Sequence, residues 1–397
     1  MSIARLNQLE IANRPKLLYF VTEDWYFCSH RLHLALAARN AGFDVLVVTR
    51  VRKRGQTITS CGFRLIPIEL VRHGSNVFSE LPLLYRLYQI YRAERPDIVH
   101  HVALKAVLYG SIVGKAAGVP AIVNAVTGLG YLFASRDWKA RLSRGFIKSL
   151  LRRLIGNDKS IAILQNPDDV QLLFGTAGDS NSRVRIIRGS GVDLHAFAPM
   201  PEPRGTPLVV LAGRMLWDKG VQEFVTAARA LRQKGIAARF ALVGASDVSS
   251  PSAVPERQLQ TWQDDGVIEW WGSQDDMPKV FAQCHIVCLP SYREGVPKVL
   301  IEAAACARPI VTTDVPGCRE IVRHEENGLL VPANDAQSLA KALRRLIEDS
   351  TLRRRFGQRA RLIAEREFGL HKVINETLGV YQELLDAKGM ARSEVSL

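Results

Sequence analysis

No uninterrupted apolar run in this chain reaches the ~18 residues that a membrane-spanning helix requires. The opening residues, MSIARLNQLEIANRPK, also lack the apolar stretch of a secretory signal. Both absences lead us to expect a chain kept in the cytoplasm. Cysteine is scarce, with 6 in 397 residues (Cys28, Cys61, Cys284, Cys288, Cys306, Cys318), too few for a disulfide framework. Cys284 and Cys288, with His285 between them, are the one close pair. No second ligand pair accompanies them, so small residues on a buried helix-to-strand segment are a better reading than zinc. Aromatic residues make up only 7%, and neither an aromatic-rich strand motif nor a helix-turn-helix stands out. Nucleic acid is therefore not the expected partner.

Acid is scarce in one half only. Residues 1–190 hold 27 Lys and Arg against 13 Asp and Glu, whereas residues 191–397 hold 26 of each. The whole formal charge of +14 thus belongs to the first half. A one-sided basic surface calls for an anionic partner such as a membrane face or a phosphorylated substrate. The rest is ordinary globular composition, 47% hydrophobic and 23% charged, which excludes a disordered chain. At ~150 residues per domain the length suggests two domains.

The chain alternates short apolar runs with helical stretches. Residues 16–22, 44–49, 64–68, 98–101 and 121–125 read as strands, with a helix over 30–42 after the first. The same grammar restarts at 207–212 and continues at 239–243, 267–271, 286–290 and 309–313, with a helix over 221–234. Strands without alternation are buried on both faces of a parallel sheet. The prolines at 199, 201, 203 and 207 resemble a stiff linker. We therefore expect an α/β protein of two doubly wound domains, over 1–190 and 191–370, joined near 189–207. Residues 371–397 form a helical tail expected to pack back on the first domain. Ligands of such sheets bind beyond the carboxyl ends of the strands, so a site between the domains is expected.

The richest segment is SYREGVPKVLIEAAACARPIVTTDVPGCRE, residues 291–320. A strand ending at Pro290 places Glu294 in the loop beyond it, and a helix then runs over 299–306. Backbone N–H groups near Lys298 and Val299 would offer a phosphate a positive helix end. Glu302, one turn inside, can accept two adjacent ribose hydroxyls, and Glu294 can meet sugar hydroxyls. Gly213-Arg214-Met215 follows another strand, with Lys219-Gly220 shortly after. A guanidinium and an ammonium there suit a diphosphate.

These pieces resemble the retaining glycosyltransferases of the GT-B fold. The matching residues are Arg214 and Lys219, Val243-Gly244, Trp271-Gly272, Pro290-Ser291, the E-x7-E element from Glu294 to Glu302, and Glu320 after Pro316-Gly317. The resemblance implies two Rossmann-like domains facing across a cleft. It implies that Arg214 and Lys219 hold the donor diphosphate, Glu294 the donor sugar and Glu302 the ribose. Gly213 and the backbone of Gly295, Val296, Pro297, Lys298 and Val299 would bracket sugar and phosphates. The base would lie against Val243, Gly244 and Gly272, with Ser291 beside the donor. No metal cofactor is expected, because the two cations neutralise the leaving diphosphate. A UDP-sugar is the favoured donor, with GDP an alternative.

The first half resembles a narrower group, enzymes that extend polyprenyl-diphosphate-linked sugars in capsule, O-antigen and glycan assembly. The residues are Asp24-Trp25-Tyr26-Phe27, Ser29-His30-Arg31-Leu32, His100-His101 with Lys105, and residues 124–131 with Gly128 and Gly130. The family's paired-glycine loop is replaced here by residues 22–25, and a frequent histidine is replaced near Thr127-Gly128. The implied acceptor contacts are Asp24, His30, Arg31, His101, Lys105, Gly128 and Gly130. His30, His100 and His101 read equally well as packed histidines. Residues 138–155, WKARLSRGFIKSLLRRLI, form a basic amphipathic helix that could lie on an anionic bilayer or pack on the core. With the basic first half, it implies a peripheral membrane enzyme. A nucleotide-sugar 2-epimerase of the same fold is the enzymatic alternative, disfavoured by Glu294 in its Gly-Val-Pro setting. A basic nucleic-acid-binding protein is the other, disfavoured by the missing stacking platform.

Overall fold

The computed structural model describes residues 14–70, 80–128, 138–155, 159–175, 183–247, 250–387 and 389. Two sheets organise them. The first contains β1 (Lys16–Val21), β2 (Asp44–Thr49), β3 (Arg64–Pro67), β4 (Ile98–Val102), β5 (Ala121–Val126), β6 (Ser160–Leu164) and β7 (Val184–Ile186). Its order is β3-β2-β1-β4-β5-β6-β7, parallel throughout. The second contains β8 (Leu208–Ala212), β9 (Arg239–Val243), β10 (Glu269–Gly272), β11 (Ile286–Leu289), β12 (Ile310–Thr313) and β13 (Gly328–Val331). Its order is β10-β9-β8-β11-β12-β13, also parallel.

The unbroken apolar runs follow from this layering. In β8, Val210 and Ala212 enter one buried cluster while Val209 and Leu211 enter another, so both faces are covered. β6, β7 and β13 escape the sequence pattern: β7 is only three residues, VRI, and β13 begins on a glycine. The first helix starts before its expected place, at Asp24, and breaks at Arg31 into Asp24–His30 and Leu32–Asn40.

The chain divides into two compact units, one of residues up to Ile187 together with those from Val373 onward, the other Arg188–Lys372. The proline-rich residues 199–207 are not a linker between them; they lie inside the second unit. They are strapped down there, because Arg353 holds Glu202, the His285 ring meets the Pro203 carbonyl at 3.0 Å, and Arg308 donates to the Pro201 carbonyl. His285 thus has a purely structural setting, and Cys284 and Cys288 are buried free thiols.

The C-terminal helix Leu370–Asp386 packs Val373, Tyr381, Leu384 and Leu385 into the core beside β1 and β2. Tyr381 anchors it. Its hydroxyl lies 2.9 Å from that of Tyr19 and 2.5 Å from His100 Nδ1, all in the interior. Tyr381→Phe would leave two buried polar groups without this partner. Each buried group so orphaned costs about 1–3 kcal/mol. The variant should therefore melt measurably earlier than wild type in calorimetry; an unchanged transition would contradict this role.

Candidate functional site

In each sheet the strand order reverses beside the first strand, at β1/β4 and at β8/β11. Loops diverge there, and a doubly wound sheet leaves a crevice at the carboxyl ends of those strands. In the second unit the charged residues singled out by sequence gather at this place.

Lys219 closes a short 3-10 turn, Trp217–Lys219, after β8, and Glu294 stands in the loop after β11. The two side chains form an ion pair, with 20% and 11% of their surfaces exposed. Tyr292 locks the two loops together, its N–H donating to the Asp218 carbonyl at 2.9 Å and its hydroxyl to Glu223 at 2.8 Å. Arg214, just past β8, donates to Asp247 Oδ2 at 2.7 Å in the loop after β9. Lys298 and Glu302, one turn apart on the helix Lys298–Ala305, pair at 3.0 Å. Burial raises the Glu302 carboxyl above the usual range, and Lys298 opposes that shift.

Backbone geometry fixes the loop that carries Glu294. A Cβ on Gly317 would fall 1.7 Å from the Gly295 carbonyl oxygen, so the helix Pro316–Arg319 touches that peptide directly. Gly244 is as tightly placed, since a Cβ there would lie 1.8 Å from the Gly213 oxygen. The Gly244 N–H donates to Gly272 at 2.7 Å, and its carbonyl accepts from the Trp270 indole at 2.9 Å. Gly213 donates in turn to Val243, the last residue of β9. Ser291 is fully enclosed: its carbonyl accepts from the Thr313 hydroxyl, while its own hydroxyl has no partner among the described residues. Val296 and Val299 pack into the core, and Pro297 caps the helix Lys298–Ala305. Its first N–H groups and the two cations give the crevice a surplus of donors.

The first unit does not assemble its expected contacts in the same way. Asp24 is fully buried, and its carboxylate accepts from the backbone N–H groups of Trp25, Arg52 and Arg54, each at 2.7 Å. His101 is fully buried too, its ring bound by Asn124 at 2.8 Å and the Tyr91 hydroxyl at 2.9 Å. Burial pushes its pKa down to about 4, so the ring is neutral. These two side chains are used up in the fold, which corrects their reading as acceptor contacts. Arg31 is only 5% exposed, facing the interior near His100 and Tyr381. His30 stacks on Tyr26 at 4.1 Å. Lys105 pairs with Glu80 at 2.7 Å at the start of the helix Leu104–Ala117, beyond β4. Gly128, with φ of 134°, follows β5; Gly130 lies outside the described residues.

Residues 206–349 match the family described as glycosyl transferases group 1, and residues 16–157 match glycosyl transferase 4-like. The chain is a glycosyltransferase, with a group 1 match in its second half and a 4-like match in its first. This transferase is 28% identical to the N,N'-diacetylbacillosaminyl-diphospho-undecaprenol alpha-1,3-N-acetylgalactosaminyltransferase of Campylobacter jejuni, over 81% of this chain and 87% of that one. It is 24% identical to the UDP-Gal:alpha-D-GlcNAc-diphosphoundecaprenol alpha-1,3-galactosyltransferase of Escherichia coli, over 70% and 73%. Anabaena HepE in complex with UDP and glucose shares its fold, with a TM-score of 0.75, 19% identity, and coverage of 92% and 99%. The glycosyltransferase thus has the two-domain GT-B fold.

Sequence reading missed Asp247, Tyr292 and Thr313, because their partners lie on other loops and no local spacing signals them. The transferase should be sensitive at Gly317. Gly317→Ala must push the Gly295–Val296 peptide and the Glu294 carbonyl beside it away, so sugar transfer should fall by about tenfold or more while the core remains folded, as with other small misplacements. Transfer assays beside circular dichroism check this, and wild-type turnover would contradict the packing.

Proposed function

We propose that this glycosyltransferase moves a hexose or N-acetylhexosamine from a UDP-sugar to a polyprenyl-diphosphate-linked saccharide, retaining the anomeric configuration, in cell-surface glycan assembly. The observation that carries the donor half is the Lys219–Glu294 pair joining the loops after β8 and β11, with Arg214 just past β8 and Glu302 on the helix that follows Glu294. The activities of the Campylobacter and Escherichia relatives support the lipid-linked acceptor, and HepE with UDP and glucose supports the donor.

On this reading the diphosphate exchanges with the internal carboxylates. Arg214 turns from Asp247 and Lys219 from Glu294, so the cations meet the phosphates and Glu294 is freed for the sugar. The bond from the anomeric carbon to the diphosphate oxygen then breaks, and the acceptor hydroxyl bonds to the same face. Its proton passes to the departing phosphate oxygen. Arg214 and Lys219 stabilise the charge growing on that oxygen, the work a metal ion does in other transferases. Preorganised donors of this kind typically contribute about 10²–10³ in rate. Lys219→Ala should therefore lower turnover by that order at saturating donor, and near-wild-type turnover would sink the assignment.

The Glu302 role makes a prediction about pH. Ionised, the carboxylate accepts from ribose hydroxyls, and burial raises the pH at which it protonates. UDP affinity should fall on acidification through that raised range, and Glu302→Gln should remove this component of the fall. Identical pH profiles for the two proteins in calorimetry would refute the ribose clamp.

Peripheral attachment to the cytoplasmic membrane face belongs to the same proposal. Among the described residues no helix is long and apolar enough to cross a membrane. The helix Leu81–Glu94 exposes Leu81, Tyr85, Arg86 and Arg92, a basic and aromatic face suited to an anionic interface. In the helix Trp138–Ile155, Leu151 and Ile155 are buried in the core while Arg152 and Arg153 are exposed. Binding to anionic vesicles should weaken steeply with salt, since exposed charges more than ~10 Å apart are screened at about 0.1 M. Reversing Arg86, Arg92 and Arg153 to Glu should release the protein in co-sedimentation; equal binding to neutral and anionic vesicles would contradict attachment by charge.

A further inference from the structure

Arg188 opens the second unit, directly after the chain leaves the first. Its Nε lies 2.7 Å from Glu320 Oε2, off the hydrogen-bonding direction, and its Nη1 donates to Glu367 Oε2 at 3.2 Å. Glu367 also holds Arg323, so one carboxylate joins two guanidiniums. Glu320 ends the short helix Pro316–Arg319, and its side chain is only 11% exposed. This is the helix whose Gly317 bears on the Gly295 carbonyl. The next residue, Gly189, packs on Val296 of the same loop and on Ile301 of the helix that follows it. A Cβ there would fall 2.9 Å from Ile301 Cδ1 and 3.2 Å from Val296 Cγ1.

Gly189 therefore packs directly on Val296 and Ile301, whereas Arg188 reaches the Glu294 loop only through Glu320 and the helix Pro316–Arg319. The Arg188 side chain is 40% exposed, and an ion pair so open contributes little to stability. What it can do is fix direction, because a planar fork held by two carboxylates has few ways to turn. The consequence falls on Glu294. If the Pro316–Arg319 helix shifts, the Gly295 and Glu294 carbonyls it bears on shift with it, and so does the carboxylate facing Lys219.

We propose that Arg188 is a positioning residue for sugar transfer: through Glu320 it sets the Pro316–Arg319 helix, and that helix sets Glu294. The proposal rests on the reading of Glu294 as the group that meets the donor sugar. It separates two properties that a merely structural role would move together. On that reading nucleotide binding rests on Arg214, Lys219, Glu302 and the helix start, none of which pairs with Arg188, whereas turnover depends on Glu294.

The test uses the full-length enzyme and four variants: Arg188→Met, Arg188→Lys, Glu320→Gln, and the exchange Arg188→Glu with Glu320→Arg. UDP affinity is measured by calorimetry, and kcat by UDP release from the best donor of a UDP-sugar panel. Arg188→Met and Glu320→Gln should each lower kcat by about tenfold, with UDP affinity within about twofold of wild type, the signature of a contact expressed in the transition state. Arg188→Lys, which keeps the charge, should retain a larger share of kcat than Arg188→Met, and the exchange should recover part of the loss. An unchanged kcat in Arg188→Met overturns the proposal, as does a loss of kcat that only tracks the folded fraction or is not relieved in Arg188→Lys. Glu302→Gln and Glu294→Gln run as controls. Failure of the donor reading shows separately: wild type or Glu302→Gln then binds UDP contrary to the ribose clamp, or Glu294→Gln keeps its turnover, and the proposal falls with it.

Discussion

The contact between Lys219 and Glu294 crosses the line at which the second sheet reverses its strand order. One partner follows β8 and the other follows β11, which are neighbours in the sheet but far apart in sequence. Most of the site's geometry can be read as serving that contact. Tyr292 ties the two loops, the Thr313 hydroxyl holds the Ser291 carbonyl, and Gly317 gives the Gly295 carbonyl its seat.

A site of this kind is neutralised from within. Arg214 has Asp247, Lys219 has Glu294, and Lys298 has Glu302. On the proposed reading, a diphosphate entering the crevice need not desolvate bare cations, because it replaces carboxylates already paired with them. That exchange would leave Glu294 available for the sugar. The arrangement would thus couple donor arrival to the readying of a reactive group, with the helix Lys298–Ala305 adding its oriented N–H groups.

Much of this was legible in the residues themselves. Apolar runs such as LVVLA disclosed the parallel sheets, because strands covered on both faces carry no alternation. The acids at 294 and 302 and the cations at 214 and 219 were visible through local spacing around a strand end. What stayed hidden was their pairing across loops: Asp247 and Tyr292 have no local signature, and the close approach of Gly317 needs the folded backbone. The first half was harder to read. Asp24 and His101 are as polar as any ligand contact in the sequence, yet the fold spends both on buried hydrogen bonds. Residues 199–207 misled for a related reason, since proline spacing describes stiffness and not what the segment is strapped to.

The most direct measurement is a crystal structure of the enzyme with UDP bound. The diphosphate should lie against Arg214 and Lys219, with the Lys219–Glu294 pair opened and the ribose hydroxyls on Glu302. A complex in which UDP sits elsewhere, or in which both internal ion pairs remain closed beside it, would contradict the account.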